Sequence, residues 1–281
     1  YLNWIVGTNK SICLGINKKY EINSKIIKCI YNGIEPYTIT GIKNNIKKDN
    51  SIKTIVFAGG FNPTKGCDVF LKALKILVKE KINNWKVIWI GGEKLPPKKL
   101  INSGLLGKFI TWKGTIPLSD LRKILSVSHI LSMPSRAEAC PMLLIDALSV
   151  GVVPIVSDCP SAMREIVSEA DCGLVCEVGN HKTLAESMIR LLSDPQRVNK
   201  MCFNAKSYFD NNLNVSHVGE KLLSLINTKE NHFKFPNKTF PDGKMYMYSR
   251  RKYKYSKWNP LGIFERIRLV FGYLSPIKIN K

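Results

Sequence analysis

The sequence predicts an α/β fold: a Rossmann-like parallel β-sheet flanked by helices. Three observations carry that expectation. From about residue 52 to residue 227, short apolar runs rich in β-branched residues alternate with stretches whose apolar residues recur at helical spacing. Two of the runs end in glycine pairs, Gly59-Gly60 and Gly91-Gly92, as strands do where they turn into a following helix. The chain has 281 residues and is 44% hydrophobic, which is enough to bury a sizeable core. No internal repeat is visible.

The elements follow in order. Residues 1–50 hold one helical stretch, one strand at 26–31 and a turn signal at Asn32-Gly33. They do not make a complete unit. They read as the end of a preceding domain, closed by a Lys- and Asn-rich linker at 43–50. Residues 52–58 read as a buried strand. Residues 66–83 place Val69, Leu71, Leu74, Leu77 and Val78 on a helix face. Strands are expected at 87–90, 109–112, 129–132, 152–156 and 173–176. Helices are expected at 117–126, 141–150, 181–193 and 214–227. Strands alternating with helices imply right-handed βαβ units, whose ligands bind beyond the carboxyl ends of the strands. The expected organisation is therefore 1–50, 51–227 for the sheet domain, and 228–281 as a separate basic, aromatic tail with a short amphipathic segment.

The charge is uneven. The chain carries 43 Lys and Arg against 21 Asp and Glu, a formal +22. Residues 1–53 hold +6, residues 54–227 another +6, and residues 228–281 hold +10. An excess of that size excludes an electrically neutral surface and points to anionic partners. No apolar run approaches the length of a membrane-spanning helix. The eight cysteines are scattered, and the one close pair, Cys172 and Cys176, has a spacing poor for zinc. Reduced, mostly buried thiols of a cytosolic protein are expected. No histidine pair has metal-ligand spacing; His129 reads as a strand-end residue, and His181, His217 and His232 as surface residues. No metal site and no cofactor are expected.

Two loops carry candidate chemistry. Residues 59–66 (Gly-Gly-Phe-Asn-Pro-Thr-Lys-Gly) lie between a strand and a helix. Glycines allow close backbone approach, the helix start carries partial positive charge, and Lys65 adds a full cation. That is the chemistry of a diphosphate cradle, although neither the G-x-x-x-x-G-K-[ST] nor the G-x-G-x-x-G pattern is met. A plain turn with a solvated lysine is the competing reading. The second loop, residues 134–151, runs from a strand into a helix. It carries Glu138, and Asp146 lies two turns further on among Met142–Leu148 apolar residues. A carboxylate buried there needs a donor partner such as sugar hydroxyls; one on an outward face would need only water. The amides around 139–142 lie at a helix start and suit phosphate or sugar oxygens.

Taken in order, these features resemble a known family. Residues 30–34 (Ile-Tyr-Asn-Gly-Ile), the 59–66 loop, Glu138 to Asp146 with the following Gly151-Val-Val-Pro-Ile-Val-Ser-Asp158, and Gly173-Leu-Val175 resemble the ordered signatures of the retaining glycosyltransferases of family GT4. That family has the GT-B fold, and the resemblance covers its nucleotide-sugar-binding domain over residues 53–227. It implies that Lys65, with Gly59 and Gly60, meets the donor diphosphate. Glu138 would lie beside the donor sugar and support the reaction centre. The backbone of Ala139, Cys140 and Met142 would meet sugar and phosphate. Asp146 would hold the ribose hydroxyls, and Thr115 and Ile116 would flank the base. Two departures stand out: Gly60 replaces the family's arginine, and Asp146 replaces a glutamate one methylene longer.

The implied function is transfer of a sugar from a nucleotide-sugar donor, with retention, to a saccharide or lipid-linked acceptor in surface polysaccharide or glycolipid synthesis. The acceptor side would come largely from the other domain. The tail, with basic and aromatic residues interleaved at 246–258, suits an acidic membrane surface, so a cytoplasmic protein peripheral to the inner face of a membrane is expected. Two other classes compete. One is a non-catalytic nucleotide-sugar-binding half-enzyme needing a partner domain. The other is a binder of single-stranded nucleic acid, for which no recognition module is visible, so no nucleic-acid partner is expected.

Overall fold

A computed structural model describes residues 4–37, 51–92 and 106–227. The linker expected at 43–50 and the tail at 228–281 lie outside the described residues.

At the N-terminal side, β1 (Ile5–Gly7) and β2 (Ile27–Cys29) pair in parallel, with α1 (Lys10–Tyr20) crossing between them. Asn9 caps α1, its Oδ1 accepting the Ile12 N–H at 2.7 Å, and Lys18 and Lys19 sit in the last turn against the negative helix end. The strand expected at 26–31 is shorter, because Ser24–Ile26 forms a 3-10 turn that feeds it. β1 escapes sequence reading, since three residues are too few to show alternation.

The main sheet contains β3 (Lys53–Ala58), β4 (Trp85–Ile90), β5 (Ile110–Gly114), β6 (Ile130–Met133), β7 (Val153–Ser157) and β8 (Leu174–Cys176). Every pairing is parallel, and the order across the sheet is β5-β4-β3-β6-β7-β8. The α/β fold expected from the sequence is the fold found. The chain enters this sheet in its middle at β3, winds outward to β5, then returns beside β3 and winds the other way. Strand order therefore reverses between β3 and β6, which opens a crevice at their carboxyl ends.

Helices cover both faces. α2 (Cys67–Lys79) and α6 (His181–Ser193) pack on one; α3 (Leu118–Ser126), α4 (Met142–Ser149) and α5 (Ala162–Glu169) pack on the other. β3 shows why one strand serves two cores. Ile55 and Phe57 point into the α2 side, while Val56 between them points into the α4 side. Phe57 stacks on Phe70 at 4.7 Å and meets Trp89 at 4.6 Å, so large rings fill the first core. α7 (Pro195–Tyr208) supplies Val198 and Met201 to the first core and Ala205 to the second. α8 (Val215–Asn227) follows a π-turn at Phe209–Leu213.

α5 and α7 are the helices that periodicity did not reveal. Both had start signals: Ser161 before α5, and Asp194 before Pro195 at the first helical position of α7. Asp194 Oδ1 accepts the Arg197 N–H at 2.9 Å, a side-chain cap. The polar composition of α7 hides its narrow apolar stripe. None of the helices among the described residues is long and apolar enough to cross a membrane.

Candidate functional site

The two loops singled out in the sequence leave the carboxyl ends of β3 and β6, the strands that flank the crevice. Local structure explains how each is held. After β3, the chain turns through a 3-10 segment, Pro63–Lys65, capped by Asn62 Oδ1 on the Thr64 N–H at 2.8 Å. Gly66 then sits at φ 71, and a Cβ there would lie 2.0 Å from the Pro134 carbonyl oxygen. Only glycine lets the Lys65 loop approach the end of β6 this closely.

Arg136 ties the loops together a second time. Its backbone N–H donates to the Thr64 carbonyl at 2.8 Å, and its guanidinium binds Asp68 through both Nη groups, at 2.8 and 2.7 Å. It also donates to the Pro63 carbonyl. The fork holds the Asp68 carboxyl below the usual range. Arg136 is thus a brace between loops, a role the sequence did not reveal.

The brace has a visible product. Lys65 Nζ lies 2.6 Å from Glu138 Oε1, and the Ser135 hydroxyl donates to the same oxygen at 2.9 Å. The Glu138 side chain is 11% exposed and the Lys65 side chain 40%. Two residues 73 positions apart therefore form one charged pair at the mouth of the crevice.

Beyond Glu138, the carbonyls of Ala139 and Cys140 are held by definite partners. The Ala139 carbonyl accepts from Asn9 Nδ2 at 3.1 Å and from the Ala162 N–H at 2.8 Å. The Cys140 carbonyl accepts from Asn32 Nδ2 at 3.0 Å, and the Cys140 sulfur receives the Asn32 N–H at 3.4 Å. In a trans peptide the N–H lies opposite the carbonyl, so the two contacts of the Ala139 carbonyl fix where the Cys140 N–H points. α4 then starts at Met142, after Pro141, which offers no side-chain cap and leaves the Met142 and Leu143 amides without an intrahelical acceptor. Glu165 of α5 reinforces the arrangement: it accepts the Lys10 N–H at 3.0 Å and the Tyr31 hydroxyl at 3.0 Å.

Asp146 is buried, which removes the solvent-facing alternative. Its partner is a residue that sequence reading missed. Arg122 Nε meets Asp146 Oδ1 at 2.7 Å, and the guanidinium carbon lies 5.0 Å from the Tyr37 ring centroid. The donor sought for this carboxylate is thus an arginine of α3 rather than a sugar hydroxyl alone. Burial pushes the Asp146 carboxyl up, and Arg122 opposes that shift.

The remaining candidates line the neighbouring strand ends. Gly59 donates its N–H to the Ile90 carbonyl at 2.9 Å, and Gly91 donates to the Gly114 carbonyl at 2.6 Å. Thr115 is exposed and Ile116 half-buried, immediately before α3. A Cβ on Gly60 would make only ordinary contact, 3.7 Å from the Gly92 Cα, so the backbone does not demand glycine there. All eight cysteines are free thiols. Among the described residues, no group of three or more His, Cys, Asp and Glu is placed to hold a metal ion. The buried His129 accepts the Thr54 N–H on Nδ1 at 3.0 Å.

The two loops and Arg122 lie inside a segment that a protein-family comparison matches: the model for glycosyl transferases group 1 covers residues 39–208, more than half of the chain. The chain belongs to the glycosyl transferases group 1 family. An uncharacterised glycosyltransferase of Haemophilus influenzae is 26% identical over 157 residues, covering 55% of this chain and 43% of its own. An alpha-1,4-N-acetyl-D-galactosaminyltransferase of Campylobacter jejuni, named for a diNAcBac-PP-undecaprenol-linked substrate, is 23% identical over 207 residues, covering 74% of this chain and 56% of its own. This group 1 chain thus spans about half the length of these relatives. Among solved structures, a TarM mutant of S. aureus in complex with fondaparinux, alpha-GlcNAc-glycerol and UDP superposes with a TM-score of 0.67. It is 18% identical, and the match covers 81% of this chain and 44% of that one, a likeness of GT-B-type fold.

Proposed function

We propose that this chain is the donor-binding part of a retaining glycosyltransferase of family GT4. It would move a sugar from a nucleotide-sugar donor to a saccharide or lipid-linked acceptor in surface polysaccharide or glycolipid synthesis. The observation that carries the reading is the Lys65–Glu138 pair at the reversal of strand order, beside the uncapped start of α4. Group 1 membership supports it.

The chemistry follows from where charge grows. As the nucleoside diphosphate departs, negative charge collects on its phosphates and the sugar carbon gains oxocarbenium character. Lys65 and the amides of Cys140 and Met142 meet the phosphates, where stabilisation lowers the barrier rather than only tightening binding. Glu138, held by Lys65 and Ser135, stands beside the sugar. Asp146 faces the ribose, and Thr115 and Ile116 flank the base beyond Gly59 and Gly60. Residues 4–34 would be the closing piece of an acceptor-side domain whose approach completes the site. The basic tail would hold the enzyme on the inner face of a membrane, close to a lipid-linked acceptor.

The test is calorimetry on this chain and turnover on the intact gene product. Lys65→Ala should weaken UDP, GDP or ADP, whichever the wild type binds, by about tenfold or more. Unchanged affinity removes the phosphate role. Hydrolysis or transfer from a panel of nucleotide sugars should vanish in Glu138→Ala with folding intact. Donor binding without turnover by the intact gene product would favour the non-catalytic half-enzyme, which the loss of a cation at Gly60 also suits.

A further inference from the structure

We propose that Arg122 contacts the donor directly, offering its Nη groups to acceptor oxygens of the nucleoside half, with Asp146 as the carboxylate that orients it. The inference rests on reading the crevice as a nucleotide-sugar site, and it changes which member of the pair meets the ligand.

Exposure separates the partners. The Arg122 side chain is 18% exposed and that of Asp146 is 5%, so the arginine is the member nearer to solvent. Asp146 engages Nε alone, and among the described residues neither Nη group has a hydrogen-bond partner. A guanidinium carries five donors in a planar fork, so most of this one is uncommitted. Its orientation is nevertheless fixed from two sides, by the carboxylate at 2.7 Å and by the Tyr37 ring at 5.0 Å. Tyr37 follows the Asn32 segment, so the acceptor-side strand exit also sets the pose of this arginine.

Position points to the nucleoside rather than the phosphates. Arg122 and Asp146 are each the fifth residue of a helix that leaves the carboxyl edge of the sheet, α3 and α4. α3 starts at Leu118, separated from Thr115 and Ile116 by Pro117 alone. The Lys65–Glu138 pair lies instead at the loop ends of β3 and β6. Charge agrees: Asp146 neutralises Arg122, leaving a rigid set of donors with little net charge. Such a set suits neutral acceptors, namely ribose hydroxyl oxygens or a base carbonyl. It also accounts for an aspartate where the resembled family has a longer glutamate. The shorter acid leaves room for an arginine between it and the ligand.

Calorimetry on the full chain tests this with UDP, UMP and inorganic pyrophosphate, and with the guanine and adenine equivalents. Arg122→Gln should weaken the mono- and diphosphate by the same factor, about ten- to a hundred-fold, and leave pyrophosphate unchanged. Arg122→Lys keeps the charge beside Asp146 but lacks the fork, so it should recover only part of the loss. Full nucleotide affinity in a folded Arg122→Gln protein, or a loss confined to diphosphate and pyrophosphate, would overturn the proposal. Should Arg122→Gln fail to fold, wild-type affinity in Arg122→Lys overturns the fork equally. A merely structural ion pair would lower the melting temperature without moving these ratios. A wild type that binds none of the nucleotides refutes the nucleotide-sugar reading itself, and this inference with it.

Discussion

Replacing Glu138 by glutamine should make nucleoside diphosphate bind more tightly while abolishing transfer. The reason lies in the pair itself. Lys65 Nζ is 2.6 Å from Glu138 Oε1, so the cation assigned to the diphosphate is already partly neutralised. A phosphate oxygen reaching the far side of the same ammonium would stand about 5 Å from the carboxylate. Two like charges at that separation repel by about 3 kcal/mol at an effective dielectric constant of about 20. Lys65 is 40% exposed, so solvent and salt screen much of that. About 1 kcal/mol should survive, a gain of about fivefold to tenfold in affinity. Glutamine keeps the shape and can still accept from Ser135, which hydrogen-bonds Oε1 at 2.9 Å. The assay is calorimetric titration with UDP at low and high salt, for wild type, Glu138→Gln, Lys65→Ala and the double variant. The gain should shrink with salt and persist when Lys65 is absent, because the repulsion is between the carboxylate and the phosphate. Weaker binding in Glu138→Gln, in a protein that melts like wild type, would refute the reasoning, because it would make the carboxylate an attractive contact to the ligand.

Other outcomes follow from the same contacts. Gly66→Ala should cost about 3 kcal/mol or more, or displace the Lys65 loop, because the new Cβ meets a backbone oxygen at 2.0 Å and φ is 71; an unchanged urea midpoint would count against the close approach. Asn32→Ala should cost about 1–2 kcal/mol through the orphaned Cys140 carbonyl and should lower turnover more than donor affinity, as steady-state kinetics would show. Alkali should destabilise the fold: burial raises the Cys29, Cys172 and Cys176 thiols from 9.0 to about 12. The unfolded chain therefore loses these protons above pH 9 while the folded chain keeps them. Each thiol removes up to about 1.4 kcal/mol per pH unit between those limits. Urea midpoints that stay level across that window would refute the assignment.

How much of this was legible depended on how local each signal is. The strands of the sheet, the glycine turns and the helices with broad apolar faces could be read from spacing, because burial on a parallel sheet writes itself as runs of β-branched residues. α7 could not, since its stripe is narrow and its surface polar. Lys65, Glu138 and Asp146 were legible as unusual residues at loop and helix starts. Arg122, Arg136, Asn9 and Asn32 were not. Nothing in an arginine or asparagine of a helix or turn says which distant carbonyl or carboxylate it will meet.

The sequence by itself determined the α/β class, the alternation of elements and the residue types that suit an anionic sugar donor. Side-chain period and chain connectivity are local properties, and they suffice for that. Only the tertiary structure decided the strand order β5-β4-β3-β6-β7-β8, and with it the crevice where order reverses. It alone joined Lys65 to Glu138 across 73 residues and set Arg122 between Asp146 and the Tyr37 ring. The physical reason is that pairing energies act through space: a buried carboxylate requires a donor, but which donor is fixed by packing.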